Sequence, residues 1–228
     1  MIDKEVTTAD EAVADVTDGA TIMVGGFGPP GQPTALIEAL LRKGVRDLVI
    51  INNNAGAGGA AISDLFAAER VRKVICSFPK AIGSTVFDEL YLAGKIELEL
   101  IPQGTLAERI RAAGAGLGGF YTRTGVGTEL TEGREVRRID GVDYVFEAPL
   151  HADFALIRGH RGDRLGNMVY RKTGRNFGPI MATAAATVIA EVDQLVERGE
   201  LDPETIVTPG IYVDRILDVT RHNEEARR

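Results

Sequence analysis

Apolar and polar positions along the chain follow two alternating periods. "ATIMV" at 20–24 and "DLVIIN" at 47–52 are short apolar runs bounded by turn residues, the pattern of buried strands. Between them, "PTALIEALLRK" at 33–43 puts Leu36, Leu40 and Leu41 on one face of an amphipathic helix, with Pro33 in its first turn. Upstream, Thr8 and Glu11 have capping-box spacing, which predicts a short helix ending near Gly19. The rhythm continues with a helix at "AISDLFAAE" (61–69), a strand at "VRKVIC" (71–76) and a helix at "STVFDELYLAG" (84–94) capped by Ser84. A strand at "KIELELI" (95–101) and a helix at "GTLAERIRAAG" (104–114) follow. Strands and helices in strict alternation predict an α/β fold: an open, mostly parallel, doubly wound sheet with helices on both faces.

The second half changes character. "EVRRIDGVDYVFE" at 135–147 is two alternating runs joined by Asp140-Gly141, which predicts an added β-hairpin region. "DFALIRG" at 153–159 reads as a strand, "HRGDRLGN" at 160–167 as a polar turn, and "NMVYR" at 167–171 as the hairpin partner. "GPIMATAAA" at 178–186 predicts a short helix. In "TVIAEVDQLV" at 187–196, Val188, Ala190 and Val192 alternate with Glu191 and Asp193, so one face of that strand is expected to be polar. No linker or repeat divides the chain. We expect one domain over 1–219 and a solvated tail over 220–228.

Composition narrows the function. The 228 residues are 44% apolar and 26% charged, values of a globular chain, and 27 glycines without any tryptophan suit tight strand-to-helix turns. A net charge of -7 argues against nucleic acid as a partner, while a locally positive pocket for a small polyanion stays open. The single Cys76 cannot form an intrachain disulfide and, at a strand end, reads as a small buried hydrophobe. With no apolar signal core in "MIDKEV" and no bilayer-length apolar run, a cytoplasmic protein without a membrane partner is expected.

The candidate chemistry begins at "DGATIMVGGFGPPGQP" (18–33), where Gly26, Gly28 and Gly31 have the spacing of a dinucleotide fingerprint. Pro29 and Pro30 oppose a helix starting directly after Gly28. The following strand ends in Asn52, Asn53 and Asn54, where a ribose-binding acid would stand. A tight turn that needs backbone room fits the same residues. His151, His160 and His222 show no metal spacing, and no G-x-S-x-G elbow is present, so neither a metal nor a nucleophile is expected. Asn53, Asn54 and Gln103 fall at strand ends, where carboxamides can orient a carbonyl but cannot attack it; the asparagines also suit a plain turn.

These blocks together resemble the A (alpha) subunits of the family I coenzyme A transferases. The resemblance rests on "DGATIMVGGFGPPGQP", "NNAG" (53–56), "PQGTLAERIRAAGAG" (102–116), "FYTRTGVGT" (120–128), "GDRLGNMVYRKTGRNFGPIMA" and "GELDPETIVTPGIYV". It runs from about residue 5 to about residue 219 in one register. It implies a transferase active only with a partner B subunit, which carries the nucleophilic glutamate, in an α2β2 heterotetramer. Coenzyme A is then a substrate moiety and not a permanently bound cofactor. By the same resemblance Gln103 donates to the oxyanion, and the turn of Gly25, Gly26, Phe27, Gly28, Pro29, Pro30 and Gly31 holds CoA. Asn53, Asn54 and Lys80 contact the acid substrate. "ICSFPK" (75–80) and "PLHADFALI" (149–157) are similar to the 3-oxoadipate branch, with acetoacetate or another short acid as the alternative.

Overall fold

The computed structural model describes residues 2–56, 61–80 and 83–220. In chain order its elements are β1 (Glu5–Val6), α1 (Ala9–Ala12), β2 (Thr21–Val24), α2 (Thr34–Lys43), β3 (Leu48–Ile51), α3 (Ala61–Ala67), β4 (Val71–Cys76), α4 (Val86–Leu92) and β5 (Glu97–Leu100). There follow α5 (Gln103–Gly114), β6 (Phe120–Thr122), β7 (Val136–Ile139), β8 (Val142–Glu147), β9 (Ala152–Asp163), β10 (Met168–Val169), α6 (Gly178–Met181), β11 (Ala185–Val196) and β12 (Arg215–Asp218).

Eight strands form a parallel sheet in the order β1-β12-β11-β9-β2-β3-β4-β5, and β10 pairs antiparallel to β9. From β2 the chain winds outward through β3, β4 and β5. It then returns to the other side of β2 with β9, β11 and β12. The switch point of this winding lies between β2 and β9, where the strand ends open a crevice in folds of this kind. The expected doubly wound α/β sheet is thus present. The predicted hairpin is present as well: Asp140 (φ 49°) and Gly141 (φ 79°) join β7 to β8, the left-handed pair that such a turn needs. With β6 these strands form a separate antiparallel sheet.

Alternation along the strands divides the core in two. Ile22, Val24, Ile50, Val74 and Leu156 pack with Leu36, Leu40, Leu65 and Phe87 from α2, α3 and α4. Met23, Ile51, Ile75, Ile157 and Ala190 pack on the other face with Leu106 and Ile110 of α5 and Met181 of α6. Each fully buried side chain of this size contributes roughly 1.5–3 kcal/mol relative to its exposed state.

Three expectations are corrected. The first helix ends at Ala12, not near Gly19, although Thr8 Oγ1 does accept from Glu11 N at 3.1 Å as the capping spacing predicts. Thr85, not Ser84, is the N-cap of α4, and Ser84 Oγ accepts only a 3.4 Å bond from Val86 N. "HRGD" is not a turn: β9 runs on to Asp163, paired with β11 along its length from Ala152↔Ala185 to Asp163↔Val196. Its glycines serve packing, since a Cβ on Gly159 would lie 2.6 Å from Met168 Cε and one on Gly162 2.4 Å from Ile216 Cδ1. The polar face expected for β11 is present: Glu191 is fully buried where Leu36 N at the start of α2 donates to it, and Asp193 beside it is partly exposed. Of the tail predicted over 220–228, all but Thr220 lies outside the described residues, as does His222.

Candidate active site at the strand ends

The strands β2, β3, β4 and β5 finish at one edge of the sheet, and the loops leaving them meet there. Gly25 N makes the last rung to β9, donating to Leu156 O at 2.8 Å, and the chain then leaves the sheet. Three glycines in the turn that follows have left-handed backbone: Gly26 (φ 121°), Gly28 (φ 63°) and Gly31 (φ 80°). Their reasons differ. A Cβ on Gly31 would lie 2.6 Å from both Gly174 O and Asn176 Nδ2, so two backbones touch there. A Cβ on Gly28 would meet nothing within 4 Å. Gly28 is therefore required for its dihedral, and this chain leaves the space beside it open.

Asn176 clamps the turn. Its Nδ2 donates to Pro30 O (3.0 Å) and Thr173 O (2.8 Å), and its Oδ1 accepts from Gly26 N (3.1 Å). Sequence reasoning passed over this residue; the signal was its place in the "RKTGRNFG" block. Phe27, Pro29 and Pro30 are exposed around the clamped turn.

The carboxamides form one connected chain. Gly28 N donates to Asn54 Oδ1 (3.2 Å), which also accepts from Asn53 Nδ2 (3.2 Å). Asn53 Oδ1 in turn accepts from Ser77 Oγ (2.7 Å) and Gln103 Nε2 (2.8 Å). Asn53 is almost fully buried, whereas Gln103 is exposed as the first residue of α5. Both acceptor positions of Asn53 Oδ1 are filled, and Gln103 Nε2 is held at one N–H while its other has no partner among the described residues. Asn52 fastens this group to the sheet: its Nδ2 donates to Val24 O (2.5 Å) and its Oδ1 accepts from Asn54 N (2.8 Å). The structure thus unites the 25–31 turn, Asn53, Asn54 and Gln103. Lys80 is exposed, two residues beyond Phe78, whose backbone bridges Asn54, and it has no part in the amide chain.

No side chain in this group is an activated nucleophile. Burial pushes the Cys76 thiol up to about 12, the opposite of a reactive thiolate. His151 is exposed, and His160 Nδ1 lies 3.1 Å from Asp193 Oδ2. Among the described residues no cluster of three His, Cys, Asp or Glu could hold a metal ion. The dinucleotide-fingerprint reading of the 26–31 glycines fails on geometry as well as residues, since α2 opens three residues past Gly31 and no acid closes β3.

A second polar group lies at the switch point. Arg158 Nη1 donates to Glu191 Oε1 (3.1 Å) and Nη2 to Asp193 Oδ1 (2.7 Å). Glu191 Oε2 accepts from Leu36 N (3.2 Å) in the first turn of α2. Burial pushes the Glu191 carboxyl up to about 7, against the pull of Arg158 and the α2 amides. Burial also raises Asp193, but bonds from His160 and Arg158 outweigh it and hold that carboxyl below its usual range.

Carboxamides and tight backbone meet here with no activated nucleophile beside them among the described residues. The chain belongs to the coenzyme A transferase family, whose model, "Coenzyme A transferase", matches residues 6–218. It is 61% identical over 220 residues to the A subunit of 3-oxoadipate CoA-transferase from Pseudomonas putida, covering 96% of this chain and 95% of that one. It is 50% identical over 216 residues to the A subunit of succinyl-CoA:3-ketoacid coenzyme A transferase from Xanthomonas campestris pv. campestris, covering 94% and 88%. Among solved structures it matches the acyl-CoA transferase YdiF of Escherichia coli O157:H7, in a thioester complex with CoA, at TM-score 0.81 and 25% identity. That match covers 95% of this chain and 47% of the YdiF chain. Glutaconate coenzyme A-transferase of Acidaminococcus fermentans shares the fold at TM-score 0.84 and 23% identity, over 94% of this chain and 75% of that one. No helix among the described residues is long and apolar enough to cross a membrane.

Proposed function

We propose that this chain is the A subunit of a heteromeric transferase that moves CoA from succinyl-CoA to a 3-oxo acid, 3-oxoadipate in the first place. The observation that carries the reading is the Gln103–Asn53 pair, a preplaced amide donor with no nucleophile beside it. The attacking glutamate then belongs to a partner B subunit. Its carboxylate adds to the thioester carbonyl, the C–S bond breaks, and CoA leaves as the thiolate from a mixed anhydride. The thiolate attacks the glutamyl carbonyl and releases succinate. The 3-oxo acid's carboxylate attacks the resulting glutamyl-CoA thioester to form a new anhydride, and the thiolate returns to the acyl carbon, regenerating the glutamate. Each addition creates a tetrahedral oxyanion. In this reading the second N–H of Gln103 donates to it, and the bond to Asn53 that already holds the amide supports that role. The turn at 25–31 lets CoA approach backbone closely, and the open space beside Gly28 suits that role.

The relatives are named throughout as A subunits, which supports a B partner, and we extend this to an α2β2 heterotetramer working in the cytoplasm. The 61% relative named for 3-oxoadipate favours that acid, and the 50% relative named for 3-ketoacids keeps acetoacetate as the second reading. The test is coexpression with the partner chain and a spectrophotometric assay over a panel of 3-oxo acids. Transfer to 3-oxoadipate in preference to acetoacetate is expected from the complex and none from the isolated chain. Turnover by the isolated chain would sink the reading.

A further inference from the structure

α5 carries Gln103 as its first residue, yet little fixes that end locally. Its N-cap is Pro102, which makes no side-chain cap bond, and no acid stands in its first turn. β5, which leads into it, is the last strand of the sheet, so no further strand braces the turn between them. Leu106 and Ile110 bury the helix against the sheet, but apolar contact is non-directional and leaves its position along the axis open. A directional anchor stands at Arg109, about 9 Å from Gln103 along the helix. Its side chain is only 11% exposed and is bound on several sides. Nη1 donates to Glu99 Oε1 (3.1 Å), Nε donates to Ala148 O (2.8 Å), and Glu147 Oε2 lies 3.8 Å from Nε. Arg109 O accepts from Leu150 N (2.9 Å). Each acid is fixed in turn. Lys73 Nζ on β4 lies 2.8 Å from Glu99 Oε2, and Arg134 Nη1 donates to Glu147 Oε1 at 2.6 Å. Glu147 is almost fully buried, and its Oε2, without a hydrogen bond among the described residues, has Arg109 as its ion-pair partner. Charges of alternating sign thus run from Lys73 through Glu99, Arg109 and Glu147 to Arg134, and Arg109 is the middle of the row.

We infer that Arg109 is a positioning residue for the transfer reaction: by tying α5 to Glu99 and to the end of β8 it holds Gln103 on Asn53. The inference rests on the proposed role of Gln103 as oxyanion donor. Glu99 and Arg109 stand on either side of the turn from β5 into α5, so their bond closes a short loop of chain with Gln103 inside it. Without that bond the start of the helix is free to slide along the sheet edge, and the 2.8 Å contact from Gln103 Nε2 to Asn53 Oδ1 goes with it. A group displaced by about 1 Å from its productive position costs up to about 10²-fold in rate. Burial raises the Glu99 carboxyl, but bonds from Lys73 and Arg109 outweigh it and hold that group below its usual range, so the tie is an ion pair at neutral pH. A purely structural Arg109 would instead cost activity in a way that does not depend on Gln103.

The test is a cycle of variants on the reconstituted complex. Arg109→Met should lower kcat by about 10- to 100-fold and leave KM for succinyl-CoA within about twofold. Arg109→Lys, which keeps the charge but not the planar fork, should recover part of that loss. In a Gln103→Ala background, Arg109→Met should change kcat by less than about twofold, because the group it acts through is gone. A kcat near that of the wild type, or an equal fall in both backgrounds, overturns the inference. Glu99→Ala breaks the same bond from a part-exposed position, so it runs the same cycle, with the same two outcomes, whether or not Arg109→Met yields folded complex. Crystal structures of the variant complexes give the second reading: Gln103 Nε2 withdrawn from Asn53 Oδ1 supports the inference, and an unmoved contact overturns it. If Gln103→Ala keeps full kcat, the proposed role of Gln103 fails, and the crystal structures still decide whether Arg109 holds that side chain in place.

Discussion

Gln103 Nε2 donates to Asn53 Oδ1 across 2.8 Å, joining the first residue of α5 to a buried asparagine two strands away. This contact turns a flexible exposed side chain into a fixed donor. Gln103→Ala should therefore lower kcat of the complex by about 10²–10³, or about 2.7–4 kcal/mol, with little change in KM. Steady-state kinetics decide it; near-normal kcat with a raised KM would reduce Gln103 to a binding contact.

Gly28 and Gly31 should respond differently to the same substitution. Gly28→Ala meets only the dihedral cost, roughly 1–2 kcal/mol, because nothing crowds its Cβ. Gly31→Ala adds a clash with the backbone at Gly174, about 1–3 kcal/mol more. Thermal unfolding should show the larger fall in Tm for Gly31→Ala, and Gly28→Asn should recover most of what Gly28→Ala loses. Equal shifts for the two alanine variants would contradict this account.

Glu191 makes folding stability fall as pH rises. Its folded value of about 7 lies above the ordinary glutamate range, so the native state keeps the proton longer than the unfolded chain. Its contribution is fully present below about pH 4.5 and is lost progressively up to about pH 7, on the order of 3 kcal/mol in all. Denaturant titrations at pH 5 and pH 8 should give a smaller difference in Glu191→Gln than in wild type. An unchanged difference would mean that Arg158 and the α2 amides keep the carboxylate ionised throughout.

Substrate choice tests Lys80. A 3-oxoadipate site must compensate a second carboxylate that acetoacetate lacks. If Lys80 supplies the cation, Lys80→Met should lower kcat/KM for 3-oxoadipate about 10- to 150-fold, from roughly 1.5–3 kcal/mol, and spare acetoacetate. The readout is the ratio of the two values in wild type and variant; a ratio within about twofold removes Lys80 from the site.

What could be read from the sequence follows from the range over which each signal acts. The elements β2 to β5 and α2 to α5 were legible because each has one local period, and the β7–β8 hairpin because Asp140-Gly141 specifies its turn. β9 was cut short because Gly159 and Gly162 resemble punctuation, whereas Met168 and Ile216 demand them from outside. The burial of Glu191 could not be read locally, because its partners, Leu36 and Arg158, lie 155 and 33 residues away. At the site, Gln103, Asn53 and Asn54 stood out through motif blocks, but their connection is tertiary, and the brace from Asn176 to Gly26 spans 150 residues. Two-residue β1 has no local period long enough to detect.

The order of strands in space also sets an order in time. During synthesis β2 can pair with β3 as soon as both have emerged, but its other edge waits for β9, some 130 residues later. β1, the first strand made, pairs only with β12, the last. For most of translation the growing half-sheet carries one bare apolar edge and a detached leader strand. Contacts this distant along the chain make folding slow and leave the unfinished sheet open to self-association. The nascent chain should thus depend on chaperone cover until about residue 160 has left the ribosome, and only the last strand closes the sheet over the first.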